Sequence, residues 1–168
     1  IIPRMSITRP LADFGLSESE ALVFNDGDVQ KTPSLASDAW YEAAQKWIAF
    51  VVDCVKNDPL LDKHIVGYQF SGADAGEWIG PGYWGGALDT SEHNRRGFAA
   101  YVRNKYQDEK TLRSAWDDMK VCLDDINLPK WDKLPGCLNE AAQKENLKNA
   151  ETVFTLPKNQ IYIDYIEY

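Results

Sequence analysis

A short apolar run that leads into a glycine-rich segment constrains the fold of this chain more than any other feature. Residues 65–70 read Ile-Val-Gly-Tyr-Gln-Phe, a β-branched and aromatic stretch that predicts a buried strand. The segment SGADAG follows, and its small residues have neither a helical nor a strand period. Glu77 and Trp78 come next. A carboxylate just beyond the C-terminal end of a strand is typical of the catalytic edge of a (β/α)8 barrel.

The residues around Glu77 suit carbohydrate chemistry. Trp78, Tyr83 and Trp84 offer flat apolar faces that can pack against pyranose rings. A carboxyl group that transfers a proton is the second requirement of an enzyme that cleaves sugars. In the alternative interpretation, Glu77 is a solvated surface residue, while Tyr83 and Trp84 only pack the loop onto the fold.

The charge balance excludes several other classes of function. The chain has 18 Lys and Arg against 26 Asp and Glu, whereas nucleic-acid binding needs clustered basic residues. No apolar run approaches the roughly 20 residues of a membrane span. We therefore expect no nucleic-acid partner, no membrane insertion and a neutral ligand. The stretch GPGYWGG lacks the Lys-Ser/Thr of a phosphate-binding P-loop, which disfavours a nucleotide site.

Histidine and cysteine residues are too scattered to predict a metal site. His64 and His93 form no HxxxH or HxxE pattern, and the three cysteines lack metal-ligand spacing. Cys54 falls on the apolar side of a predicted helix, which indicates a buried thiol. The aspartates of the turn at residues 25–28 are not followed by the Gly and Glu of an EF-hand. We expect neither a metal nor a cofactor.

The rest of the chain alternates between strand and helix patterns. In order, the sequence predicts a strand over residues 1–7, an irregular stretch over 8–37, helices over 37–56, 91–105 and 108–116, and helical spacing in the final NQIYIDYIEY. Asn57-Asp58-Pro59 should end the first helix, and Asp89-Thr90-Ser91 offers a cap for the second. With the strand at 65–70, this order predicts an α/β fold with parallel strands joined by crossover helices.

Three motifs carry a resemblance to a known family. Gly67-Tyr68-Gln69 lies in the strand before Glu77, and Val-Arg-Asn-Lys-Tyr at 102–106 precedes Leu-Arg-Ser-Ala-Trp at 112–116. Their order and spacing resemble the central part of family 42-type β-galactosidases and related clan A glycoside hydrolases. In those proteins a Gly-Trp-Gln strand precedes an Asn-Glu pair and a helix with a similar Lys-Tyr and Ala-Trp phrase.

The resemblance implies that residues 1–168 are part of one (β/α)8 TIM-barrel catalytic domain that hydrolyses a glycosidic bond with retention. Glu77 would be the general acid/base after the fourth strand, with the nucleophile on the seventh strand. The Asn that precedes the acid/base in such enzymes is Gly76 here. Asp74 or Ser71 would then bind the 2-hydroxyl, or the substrate or the activity has changed.

Arg4, Gln69 and Asp74 complete the expected substrate-binding residues, alongside the aromatic residues of the loop. Gln69 either hydrogen-bonds sugar hydroxyls or satisfies backbone groups at the strand end. Arg4 either points into the cleft or forms a salt bridge with a neighbouring strand. A non-catalytic carbohydrate-binding protein would use the same aromatic and amide groups without a paired carboxylate, and it is the alternative function.

Both ends of the chain resemble the middle of a larger fold, because the first residues are strand-like and the last helix lacks a terminator. A closed barrel has eight strands and about 250 residues. We therefore expect this 168-residue chain to be inactive on glycosides by itself and to self-associate through incomplete barrel edges. The resemblance implies that the intact protein is a bacterial cytoplasmic or periplasmic hydrolase.

Overall fold

The computed structural model describes residues 1–24, 27–71, 89–129 and 160–168. Contacts within the chain divide it into two units. The first comprises Ile1–Val23 and Asp28–Gly80, and the second comprises Phe24–Gly27 and Pro81–Tyr168. The described strands and helices, in chain order, are β1 (Arg4–Ser6), β2 (Ala21–Val23), β3 (Val29–Pro33), α1 (Asp38–Lys56), α2 (Pro59–His64), β4 (Gln69–Ser71), α3 (Glu92–Tyr106), α4 (Glu109–Trp116) and α5 (Gln160–Glu167).

The first unit is organised around the parallel pair of strands β1 and β4. The paired residues are Arg4 with Gln69, Met5 with Phe70, and Ser6 with Ser71. The ladder continues beyond the strands, because the Ile7 N–H donates to the Ser71 carbonyl at 3.0 Å. Helix α1 lies between the two strands in the chain, so β1, α1 and β4 form a strand–helix–strand crossover of the type that the sequence predicted.

Helix α1 begins after Ser37, at the start that the sequence predicted. The Ser37 side chain accepts a hydrogen bond from the Trp40 N–H, which satisfies one of the free donors of the first turn. Trp40 and Ala44 are buried against Ile7, as the apolar spacing of the helix predicted. The Trp40 Nε1 donates to the Ile7 carbonyl at 3.0 Å. This bond fixes the N-terminal turn of α1 beside the C-terminal end of β1.

The predicted buried strand at residues 65–70 is wrong in its extent and its burial. Strand β4 covers only Gln69–Ser71, and the exposed fractions of Val66 and Phe70 are 78% and 36%. Upstream, the Asp58 side chain accepts from the Leu60 and Leu61 N–H groups and starts helix α2. The apolar residues Ile65 and Val66, which suggested an earlier strand start, therefore follow the end of α2, and β4 begins only at Gln69.

The stretch at 8–37 contains regular structure, contrary to the irregular loop that the sequence predicted. It holds two 3₁₀ helices, Leu11–Phe14 and Glu18–Glu20. Strands β2 and β3 then pair antiparallel as a hairpin. Its strands are too short to give a clear alternating pattern, so only the turn between them was recognised in the sequence. Gly27 lies in that turn with a φ of 89°, a conformation that glycine adopts without strain.

The second unit packs α3, α4 and α5 around one apolar core. Ser91 and Asp108 cap α3 and α4 through their side chains, and the sequence predicted a cap only for α3, within Asp89-Thr90-Ser91. The buried residues of this core are Phe98, Ala99, Val102, Tyr106, Leu112, Trp116 and Ile126. The Phe98 ring meets the Tyr165 ring of α5 edge-on at 5.4 Å between centroids, which is a favourable aromatic geometry.

Among the described residues, no helix combines the length and the apolar composition that a membrane span requires.

Cys54 is exposed, so the predicted buried thiol is wrong. Cys54, like Asp53 before it, lies on the solvent side of α1. The buried side of the helix contains Ala44 and Val55. Cys122 is half-buried, and its Sγ donates to the Glu109 carboxylate at 2.9 Å.

Candidate functional site

Three of the predicted site residues lie in the part of the chain that the structure describes: Arg4, Gln69 and Ser71, the alternative to Asp74 as the ligand of the 2-hydroxyl. Arg4 and Gln69 are the first residues of β1 and β4. The predicted acid/base Glu77 lies outside the described residues, as do four predicted binding residues, Asp74, Trp78, Tyr83 and Trp84.

Arg4 and Gln69 are direct register partners across the parallel pair. Side chains of register partners extend from the same face of a sheet, so the structure brings these two polar groups together. Both residues are exposed, whereas Met5, the next residue of β1, is buried. The guanidinium and the amide therefore share the polar face of this strand pair.

Arg4 is the first residue of its strand, whereas the sequence predicted a strand that begins at residue 1. In parallel-stranded α/β folds, chemistry is concentrated at the C-terminal strand ends. Ser6 ends β1, so the Arg4 backbone lies two residues, about 7 Å, before that edge. Arg4 therefore lies before the C-terminal edge and does not line it.

Ser6 and Ser71 mark the C-terminal edge of the strand pair, because they are the last paired residues. Ser71 is buried, and its hydroxyl donates to the Met5 carbonyl at 3.3 Å. In the sequence, the segment with Glu77 starts directly after Ser71, and the segment at 7–37 starts after Ser6. Both segments consequently leave the sheet from the same edge.

The hairpin in the segment at 7–37 is fixed to this edge by Glu20. The Ser37 hydroxyl donates to Glu20 Oε2 at 2.6 Å, and the Ser34 N–H donates to the Glu20 carbonyl at 2.8 Å. Both serines are fully buried. Because Ser37 caps α1 beside the end of β1, the base of the hairpin lies at the same edge. The sequence contained no signal for this contact, and the hairpin itself was missed.

The second unit contains a buried carboxylate that the sequence analysis also missed. Asp164 is fully buried and accepts hydrogen bonds from Lys105 Nζ at 2.9 Å and from the Tyr106 hydroxyl at 2.7 Å. Two further donors are Trp116 Nε1 at 2.6 Å and Gln160 Nε2 at 2.7 Å. The sequence signal that could have identified this carboxylate is an Asp among the apolar residues of α5. A buried acidic residue requires hydrogen-bond partners, so such an Asp indicates a buried polar cluster.

Hydrogen bonding keeps the Asp164 cluster charged. Burial by itself raises the pKa of Asp164, but the bonds from Trp116 and Tyr106, with those of the other two donors, lower the pKa below the ordinary value. Desolvation likewise opposes the charge of Lys105, yet its bonds to Glu167 and Asp164 raise the pKa of the ammonium group. A carboxylate held ionised by four donors is a poor proton donor, which indicates that Asp164 joins α5 to α3 and α4.

The pKa shift of Asp164 predicts how stability depends on pH. Because the folded pKa is below the unfolded one, this carboxylate stabilises the fold fully above its ordinary pKa of about 3.9, and the stabilisation disappears as the pH falls through the folded pKa. We expect the difference in unfolding free energy between the wild type and Asp164→Asn to be constant from about pH 5 to pH 8 and to shrink below about pH 4. Urea denaturation followed by tryptophan fluorescence would measure it, and a pH-independent difference would contradict the assignment.

A cleft of about 380 Å³ opens beside this cluster, lined by α4, the connection after it and α5. Its carboxyl groups, Asp118 and Asp125, are exposed, so they lack the apolar surroundings that a general acid at neutral pH needs. Among the described residues, no group of three His, Cys, Asp or Glu side chains could hold a metal ion.

Comparison with protein-family models, with curated protein sequences and with solved structures found no match for this chain.

Proposed function

We propose that residues 1–168 belong to the (β/α)8 catalytic domain of a retaining glycoside hydrolase that resembles the family 42-type β-galactosidases, with Glu77 as general acid/base. The parallel pairing of β1 and β4 carries this proposal. Since Ser6 pairs with Ser71, the segment that contains Glu77 starts at a C-terminal strand edge, where barrels of this type perform their chemistry.

The crossover geometry is a second support. In a (β/α)8 barrel each strand is followed by a helix that runs back along the outside, so that the helix N-terminus lies near the C-terminal strand edge. The bond from Trp40 Nε1 to the Ile7 carbonyl joins the first turn of α1 to this edge. The face with Arg4 and Gln69 would then point toward the barrel interior.

The chemistry follows from two carboxyl groups. Protonated Glu77 would donate its proton to the leaving oxygen while a second carboxylate, about 5 Å away, attacks the anomeric carbon and forms a glycosyl ester. Ionised Glu77 would then take a proton from a water molecule whose oxygen attacks the same carbon and releases the second carboxylate. Trp78, Tyr83 and Trp84 would stack on sugar rings, while Arg4, Gln69 and Asp74 would bind hydroxyl groups.

The stereochemistry of the product tests this proposal. With p-nitrophenyl β-galactoside as the substrate, we expect the intact protein to release β-galactose first, because two displacements at one carbon retain its configuration. Proton NMR of the anomeric signals during the first minutes would distinguish the two anomers. Initial release of α-galactose would overturn the double displacement, and binding of galactosides without hydrolysis would favour the non-catalytic carbohydrate-binding alternative.

A further inference from the structure

The cleft of the second unit has the size and the inner surface of a small-molecule site. Its volume is about 380 Å³, within the range of about 300–1,000 Å³ that is usual for such sites. Two of its lining residues, Trp116 and Pro129, are buried. The other apolar and aromatic residues of the lining are half-buried, and they are Val121, Leu128, Ile161 and Tyr162. The cleft therefore offers an apolar surface that includes two aromatic side chains.

The Trp116 indole is held in a fixed position in this cleft. Its ring stacks on the Phe98 ring, with 6.3 Å between the centroids and 7° between the planes. Its Nε1 donates to the buried Asp164 carboxylate at 2.6 Å. The indole cannot turn away without the loss of both contacts, so a ligand meets an aromatic surface that is already in place.

The connection after α4 forms a wall of the cleft, and arginine side chains hold this irregular segment in place. Arg113 Nε donates to the Val121 carbonyl at 2.9 Å, and Arg103 Nε donates to the Leu123 carbonyl at 2.8 Å. Ile126, farther along the connection, is fully buried. Loops that a rigid scaffold positions are common binding segments, and a preformed wall reduces the entropy that a ligand must lose on binding.

The rim of the cleft carries polar groups of both kinds. It contains the carboxylates of Asp118 and Asp125, the amide of Asn127 and the ammonium group of Lys120, all exposed. The Lys120 N–H donates to Asp118 Oδ1 at 2.8 Å and so orients that carboxylate. Two carboxylates beside one ammonium group disfavour an anion, and the ammonium group disfavours a cation. Donors and acceptors around an apolar surface suit a neutral ligand with hydroxyl groups and an apolar ring face.

We infer that this cleft is a carbohydrate-binding site of its own, in which a galactose unit packs against Tyr162 and Trp116. The hydroxyl groups of the sugar bind the side chains at the rim, Asp118 and Asn127 among them. The inference goes beyond the proposed function and takes from it only the identity of the sugar. A second site on the same chain raises the effective concentration of a polymeric substrate without contact with the cleaved bond.

Galactose binding to the intact protein tests the inference, because the free sugar has no bond to hydrolyse. The NMR signal of the Trp116 indole N–H should shift with galactose until the site is saturated. We expect Asn127→Ala and Tyr162→Ala each to raise the Kd about 3–10-fold, the effect of losing one hydrogen bond or one aromatic face. Tyr162→Phe should keep the wild-type Kd, since it retains the ring.

Two variants outside the cleft serve as matched controls. Asn104 and Asp124 are exposed and do not line it, so Asn104→Ala and Asp124→Ala should bind galactose as the wild type does. The other NMR signals of each variant would show that it folds. KM for p-nitrophenyl β-galactoside should not change in the cleft variants, because the sugar in this cleft is not the one whose bond is cleaved.

The outcomes separate this inference from the glycosidase proposal. A Trp116 signal that galactose leaves unchanged overturns the carbohydrate site, and so does an Asn127→Ala variant that binds as tightly as Asn104→Ala. A shift with phenethylammonium chloride but not with galactose would assign the cleft to organic cations and overturn it too. If the protein binds galactose in the cleft but hydrolyses no galactoside, the glycosidase proposal is wrong while the carbohydrate site stands.

Discussion

Glu77→Gln is expected to slow the hydrolysis of galactosides with poor leaving groups, such as lactose, by about 10²–10⁴-fold, the usual contribution of general acid catalysis. The amide cannot donate the proton that a sugar leaving group needs. Nitrophenolate departs without that proton, so the rate of glycosyl-ester formation from p-nitrophenyl β-galactoside should fall much less. Steady-state rates on both substrates and the pre-steady-state release of nitrophenol would measure the two effects.

Glu92→Gln is the matched control for this experiment. Glu92 is exposed in the first turn of α3 and forms an ion pair with Arg95 at 2.6 Å. Exposed pairs contribute about 0–1 kcal/mol to stability, so this variant should retain wild-type rates on both substrates. Equal losses in the rate of glycosyl-ester formation from the two substrates in Glu77→Gln would contradict the role of Glu77 as the acid.

The helices of this chain could be predicted from the sequence because their signals are local. Apolar spacing placed α1, and the capping residues Asp89-Thr90-Ser91 marked the start of α3, where the Ser91 side chain is the cap. Each signal comes from a few neighbouring residues that fix both the burial and the first-turn hydrogen bonds. The structure agrees with these predictions to within about one or two residues, the usual uncertainty of helix ends.

The strands were harder to predict because their limits depend on partners distant in sequence. Ile65 and Val66 have strand propensity, yet β4 begins only at Gln69, where Arg4 supplies its register partner. Propensity for strands is strongly dependent on such context. The hairpin at residues 21–33 was not predicted for the same reason, since its pairing is short and bulged.

The candidate site also has features that the sequence predicted and features that only the structure shows. Residue types predicted a carboxylate near aromatic groups, but only the register shows that Arg4 and Gln69 share a face. The contact of Glu20 with Ser37 joins residues that no motif connects. Asp164 was missed because its four donors come from three different helices, and only the packing of those helices reveals them.

Asp164→Ala is expected to lower the unfolding free energy by about 3–5 kcal/mol, the typical effect of removing one partner from a buried ionic network. The substitution leaves Lys105 without one of its two carboxylate partners and removes the acceptor from the Tyr106 hydroxyl and the Trp116 Nε1. Unmet buried donors carry their full desolvation cost, and total stability is only about 5–15 kcal/mol.

Urea denaturation of wild type and variant would measure this loss, with Asp124→Ala as the control. Asp124 is exposed in the connection after α4, and surface substitutions change stability by about 0.5 kcal/mol or less. The Trp116 indole should also become more accessible to an external quencher in Asp164→Ala, since α5 would detach first from α3 and α4. A variant as stable as the control would show that the aromatic contacts of Phe98 and Tyr165 hold α5 without the carboxylate.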